Sequence, residues 1–272
     1  MLRDYAGRPA FITGGASGIG LGMAEAFVAR GLPVVLADID AERAEAEARR
    51  LCEAGHRACG LSLDVRDDAA WTAALDMAEA EFGPIAIICA NAGVTGNVRP
   101  IAQSEYEGWR FTLEINLHGC FLAARIGLPR LLSQDRPCHF VATSSAGAFF
   151  PFATNGAYSA SKAGINALCE TLADELKDSH VGVSVFCPGL VESRLHETSR
   201  ALGPEGLDLG QHRNPSAGSV KAMIGARDAG EIVAKGIDQG RFWLFSSERT
   251  LSYVEDRLDR MILDHEALFG PR

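Results

Sequence analysis

The run Thr13-Gly14-Gly15-Ala16-Ser17-Gly18-Ile19-Gly20 decides the fold. It follows the apolar stretch Pro9 to Ile12 and precedes Leu21 to Arg30, whose composition is helical. Strand, glycine turn and helix in that order build a site for a pyrophosphate: glycines let the backbone turn tightly and approach the ligand, and the free N–H groups and positive dipole end of the helix receive its charge. A glycine-rich loop without a ligand has the same composition, so the neighbouring segments carry the argument further.

A second apolar strand, Pro33 to Asp38, ends in a carboxylate about twenty residues beyond the turn, where a dinucleotide fold holds the adenosine ribose. Asp38 would accept hydrogen bonds from the 2′- and 3′-hydroxyls and repel a 2′-phosphate. Neither Ser17 nor Ile39 supplies a compensating cation, which favours NAD over NADP. Arg43 is the residue able to weaken that preference. The competing role for Asp38, capping the helix that begins near Ala41, suits Asp40 better.

Tyr158 and Lys162 lie four residues apart in Ala157-Tyr158-Ser159-Ala160-Ser161-Lys162 and share one helix face. A phenol is a poor base near neutrality, but a fixed cation beside it favours the phenolate and equips the pair for acid–base chemistry. Spacing alone also fits a surface tyrosine beside a solvated lysine.

With these features in order, the chain resembles the short-chain dehydrogenase/reductase family from about Pro9 to Val191. Thr13-Gly14-x-x-x-Gly18-x-Gly20 resembles its cofactor turn, which brings in Ser17 and Ile19. Asp64-Val65, after the strand Arg57 to Leu63, resembles the pair that contacts adenine. Asn91-Ala92-Gly93, after the strand Ile85 to Ala90, is similar to the segment beside the cofactor that steadies the central strands. Asn116 resembles a helix asparagine whose main chain holds a relay water. Ser145, after the strand Cys138 to Thr143, stands at the family's usual offset before Tyr158, with Ser144 as its rival. Pro188-Gly189, followed by Val191, resembles the turn beside the nicotinamide.

The resemblance implies a single α/β domain over residues 1–272, a Rossmann-type doubly wound parallel sheet flanked by helices, with NAD as cofactor and no metal. It also implies Asn116, Ser145, Tyr158 and Lys162 as the catalytic set. Tyr158 would exchange the substrate proton, Ser145 would hydrogen-bond the same oxygen, Lys162 would bind the nicotinamide ribose and lower the tyrosine pKa, and Asn116 would hold the relay water. The expected activity is interconversion of a medium-sized hydrophobic secondary alcohol and its ketone. The alternatives are an NADP-dependent ketoreductase and a non-catalytic NAD-binding module.

The 272 residues, 47% hydrophobic, suffice for one substantial core. A net charge of −9 disfavours nucleic acid and anionic membranes as partners. No apolar span or leader is evident, so the expected location is cytoplasmic. Seven cysteines without Cys-x-x-Cys pairs read as reduced thiols, with Cys89, Cys138 and Cys187 in core strands. His118 reads as a histidine packed on its helix.

Residues 190–227 follow the Pro-Gly turn and carry Gly203, Gly206, Gly210 and Gly218, which predicts a substrate lid. Phe149, Phe152, Leu190, Leu195 and Leu202 suggest an apolar pocket, with Arg194 and His196 as its nearest polar candidates, each expected to be exposed. At the carboxyl terminus Phe242 to Phe245 reads as a last strand and 247–269 as an amphipathic helix, with Leu251, Val254, Leu258 and Ile262 as a core-facing or partner-facing stripe. This ending departs from the family's usual tetramer tail. A homodimer through the helices beginning near Ser104 and Tyr158 is expected, and a tetramer by another route is left open.

Overall fold

The structure is a computed structural model that describes residues 2–5, 7–96, 98–205 and 223–271. Among these, β1 (Ala10–Thr13), β2 (Val34–Asp38), β3 (Ala58–Ser62), β4 (Ile87–Ala90), β5 (Cys138–Thr143), β6 (Val181–Cys187) and β7 (Trp243–Phe245) form one parallel sheet in the order β3-β2-β1-β4-β5-β6-β7. β1, β4 and β5 are buried along their whole lengths, as continuous apolar strands covered on both faces should be. Residues alternate between the two faces: Phe11 and Val35 enter one core with Trp71 and Phe140, while Ala10, Ile12, Val34 and Leu36 enter the other with Met23 and Phe27.

Helices α1 (Gly18–Val28), α2 (Ala41–Glu53) and α8 (Ala226–Asp238) contribute to the second core, and α3 (Asp68–Phe82), α5 (Gly119–Leu132) and α6 (Gly156–Glu175) to the first. α4 (Tyr106–Leu113) runs into α5 through a π turn, Glu114–His118. α1 and α8 meet backbone to backbone, because a Cβ on Gly22 would lie 1.9 Å from the Ala226 carbonyl oxygen. Asp40 caps α2, accepting from the Arg43 N–H at 3.1 Å, which leaves Asp38 for another role.

β1 pairs with β2 on one side and β4 on the other, so successive connections leave β1 in opposite directions. In an open α/β sheet the crevice at the carboxyl ends of such strands is where ligands bind. No described helix is long and apolar enough to cross a membrane.

Element ends differ modestly from expectation. β7 begins at Trp243 and the last helix, α9, spans Arg249–Phe269. Residues 190–205 hold one short helix, α7 (Leu195–Leu202); Gly206, Gly210 and Gly218 lie outside the described residues. The core-facing reading of the carboxyl-terminal stripe fails, because Leu251 and Leu258 are 55% and 52% exposed. α9 follows the short edge strand β7 and lies at the surface.

Candidate functional site

The glycine turn leaves β1 with Gly14 at φ +62° and Gly18 at φ +50°, a region that favours glycine. A Cβ on Gly20 would meet the Gly14 carbonyl oxygen at 2.2 Å. α1 therefore begins tightly against the turn. Its N-cap Ser17 makes no side-chain capping bond, and no acidic residue occupies the first turn. The helix dipole and its first N–H groups are left for an external anion.

Neighbouring strands fasten this turn. Thr13 Oγ1 accepts from the N–H groups of Asn91 and Ala92 at 2.9 and 3.0 Å, and Asn91 Nδ2 donates to the Thr13 carbonyl at 2.9 Å. Asn91 Oδ1 in turn accepts from Thr143 Oγ1 at 3.0 Å. Asn91 and Ala92 thus tie the end of β4 to β1 and β5.

At the end of β2, Asp38 accepts from the Ala16 and Asp40 N–H groups, both at 3.1 Å. Burial raises its pKa against the pull of these bonds. Arg43 Nε donates to the Ala16 carbonyl at 3.0 Å, holding a guanidinium against the turn. Further along, Asp64 is gripped by Arg66, with contacts of 2.9 Å from Nε and 2.6 Å from Nη2, and this bond holds its carboxyl below the usual range. Both Asp64 oxygens are thus already engaged by Arg66, a partner that the adenine reading of Asp64 did not include.

At the other end, Asn116 sits in the π turn, a helix irregularity that recurs at functional sites. Its Oδ1 accepts from the Val94 N–H at 2.8 Å, and its Nδ2 donates to the Val94 carbonyl at 2.9 Å and to Ser161 Oγ at 3.0 Å. Ser144 is buried and donates to the Lys162 carbonyl at 2.9 Å. Ser145 instead accepts from the Gly147 N–H at 3.0 Å, and its hydroxyl pulls the Tyr158 pKa down. Both hydroxyls thus meet the backbone, and of the two only Ser145 acts on the phenol.

Lys162 is buried, donates to the Thr143 carbonyl at 2.8 Å, and has its Nζ 5.7 Å from the centroid of the Tyr158 ring. Desolvation pushes its pKa down to about 8. Burial pushes Tyr158 above its ordinary value against the pull of Ser145, in opposition to the lowering expected from Lys162 and the nicotinamide cation. Burial disfavours the phenolate, and Lys162 directs its proton at the Thr143 carbonyl.

One cleft joins the two ends. Gly14, Ser17, Gly18 and Ile19 line it with Asp38; Asp64, Val65, Asn91, Ala92 and Gly93 form its middle; Tyr158, Lys162 and Pro188 close the far end. Ser144 also lines it, whereas Gly20, Asn116, Ser145, Gly189 and Val191 are not among its lining residues. Gly189 donates its N–H to Ser246 Oγ at 2.9 Å, and Val191 bridges to Ile224.

α7 supplies the remaining wall through Leu195, Thr198 and Leu202, with Ser193 and Arg194 ahead of it. Arg194 and His196 are exposed as expected, although Arg194 also borders the cleft. Ser199 is buried and accepts from both the Thr95 N–H, at 2.8 Å, and Thr95 Oγ1, at 3.0 Å. This latch and the Arg66 clamp were missed in the sequence, because neither has a local pattern. Phe149, read as a pocket residue, packs on Trp243 and Phe245 with ring centroids 5.5 and 6.1 Å away. His118 is exposed against Phe121. Among the described residues no group of His, Cys, Asp and Glu gathers at metal-binding distance.

Fold and cleft together define a nucleotide-binding protein of Rossmann type. The sequence profile of the short chain dehydrogenase family matches residues 8–202. C alpha-dehydrogenase of Sphingobium sp. (strain NBRC 103272 / SYK-6) is 36% identical, over 96% of this chain and 87% of its own. 1-Deoxy-11-beta-hydroxypentalenate dehydrogenase of Streptomyces exfoliatus is 32% identical over 93% and 87%. A short chain dehydrogenase/reductase from Burkholderia phymatum, solved in complex with NAD, superposes with a TM-score of 0.87 at 27% identity, covering 96% of each chain. The chain belongs to the short-chain dehydrogenase/reductase family and is an oxidoreductase.

Proposed function

We propose that the chain is an NAD(H)-dependent oxidoreductase that interconverts a medium-sized hydrophobic secondary alcohol and its ketone, with Tyr158 as general acid and base. The observation that carries this reading is a single cleft with the Asp38 carboxylate at one end and the Tyr158–Lys162 pair at the other. Its apolar surfaces, Val94, Ile115, Leu195 and Leu202, suit a substrate of that kind. The named relatives are dehydrogenases, one of a hydroxy compound by its name.

The residues present fit the cofactor. The open N-terminus of α1, reached through Gly14 and Gly18, would hold the pyrophosphate; Asp38 the adenosine ribose; Asp64 and Val65 the adenine; Tyr158 and Lys162 the nicotinamide ribose, with Pro188, Gly189 and Val191 beside the ring. When bound, NAD supplies the hydride acceptor at nicotinamide C4. In oxidation Tyr158 takes the alcohol proton, Ser145 holds the same oxygen as its charge develops, and Lys162 passes the proton toward solvent beside Asn116. Reduction runs the proton the other way.

Arg43, fixed on the Ala16 carbonyl, supports a second reading, an NADP-dependent ketoreductase. A non-catalytic NAD-binding module has no comparable support, because binding alone requires no proton relay. All seven cysteines are free, in keeping with a reducing cytoplasm. The expected homodimer would pair through α4 and α6; α4 exposes Tyr106.

The test is a titration of purified protein with NAD and with NADP, followed by steady-state NADH formation over a panel of secondary alcohols. Tighter binding of NAD and turnover of apolar substrates are expected. Preference for NADP would replace this reading with the ketoreductase, and binding without turnover would leave only the binding module.

A further inference from the structure

Among the described residues, α9 is joined to the rest of the protein through its first turns. Thr250 is buried, the Tyr253 ring stacks on Phe150 with centroids 4.6 Å apart, and Arg257 Nη1 donates to the Ala148 carbonyl at 3.2 Å. Beyond Val254 the helix is almost wholly exposed, yet it carries Leu258, Met261, Leu268 and Phe269, each more than half exposed. A helix with so little of its apolar surface covered needs another partner to hide it.

The spacing says what that partner is. Leu251, Val254, Leu258, Met261, His265 and Leu268 follow each other at alternating intervals of three and four, the seam of a two-helix coiled coil. The seam is self-complementary when two copies run antiparallel about the midpoint between Leu258 and Met261. Leu258 then faces Met261 of the partner subunit, Val254 faces His265 of the partner subunit, and Leu251 faces Leu268 of the partner subunit. At the flank of the seam, Arg257 comes opposite Asp264 of the partner subunit, and the dyad repeats that opposite-charge pair.

We propose that α9 is a two-fold interaction surface whose occupant is α9 of a second copy of this chain. Covering the exposed seam on both copies buries on the order of 1,000 Å² of apolar surface, the threshold of a specific interface. The polar face carries five acidic residues against three basic ones, which disfavours an anionic lipid surface as the occupant. Through the Arg257 and Tyr253 contacts, the pairing would brace the 146–150 segment that follows Ser145.

The test is sedimentation equilibrium of the full chain beside the variant Leu258→Asp/Met261→Asp, whose side chains are exposed and so leave the fold intact. The variant should have half the wild-type mass. Arg257→Asp and Asp264→Arg should each weaken association, and the double exchange should restore it. Oxidation of Leu258→Cys/Met261→Cys should give a band of twice the chain mass on a non-reducing gel, with wild type as the control for exposed Cys52. Equal masses, a monomeric wild type, no rescue by the double exchange or no cross-link would each overturn the proposal. So would flotation of the wild type with phosphatidylcholine vesicles that is lost in the variant at unchanged mass, which assigns the face to lipid.

Discussion

Lys162 Nζ stands 5.7 Å from the centre of the Tyr158 ring while donating to the Thr143 carbonyl. A cation there favours a phenolate, whereas burial moves Tyr158 up and Lys162 down to about 8. Oxidation requires the deprotonated phenol, so its rate should rise with pH and that of reduction should fall. Removing the cation in Lys162→Met disfavours the phenolate further and should displace the rise to higher pH, with weaker cofactor binding. A pH–rate profile with an unmoved limb would remove Lys162 from the proton path.

Asp38 sets the second expectation. Asp38→Ala should narrow the preference for NAD over NADP by about 1 to 3 kcal/mol, roughly 5- to 150-fold in relative affinity. Isothermal titration with both cofactors measures it. An unchanged ratio would shift the discrimination to Arg43.

The fold could be read far into the molecule because its signals are local. The glycine turn, the carboxylates Asp38 at the end of β2 and Asp64 just past β3, and the continuous apolar strands are each visible within a few residues, and the turn and both carboxylates line one cleft. What escaped depends on tertiary contact. Arg66 looks like any surface arginine until it folds back on Asp64, and Ser199 shows its role only where α7 meets Thr95. The direction of the Tyr158 shift depends on burial, which helical spacing to Lys162 does not report. The exposed seam of α9 has the same spacing as a core-facing stripe, and only the packing tells them apart.

Ser199→Ala deletes the acceptor for the buried Thr95 N–H, a loss on the order of 1 to 3 kcal/mol. The change should loosen α7 and speed amide hydrogen exchange over 195–202. Wild-type exchange there should slow further when cofactor and an alcohol inhibitor bind together, as a closing wall requires. Equal exchange in variant and wild type would mean that the latch does not hold the helix.

His139 is buried, with Nε2 2.8 Å from Ser184 Oγ, which donates onward to the Arg241 carbonyl at 2.7 Å. Desolvation pushes its pKa down to about 4. Between that value and the ordinary ~6.5 the unfolded chain binds more protons than the folded one, so this histidine makes stability fall as pH falls through that window, by up to about 3 kcal/mol. Urea unfolding across the window should show His139→Gln with a shallower pH dependence than wild type. Parallel curves would indicate that His139 is charged in the folded state.

The most direct test of the central claim is turnover of Tyr158→Phe measured beside its NAD affinity. Loss of the phenol proton should leave the fold and NAD binding close to wild type while NADH formation from an accepted secondary alcohol falls by about 10²- to 10⁴-fold or more. Near wild-type turnover in that variant would contradict the assignment of Tyr158 as the general acid and base, and with it the proposed reaction.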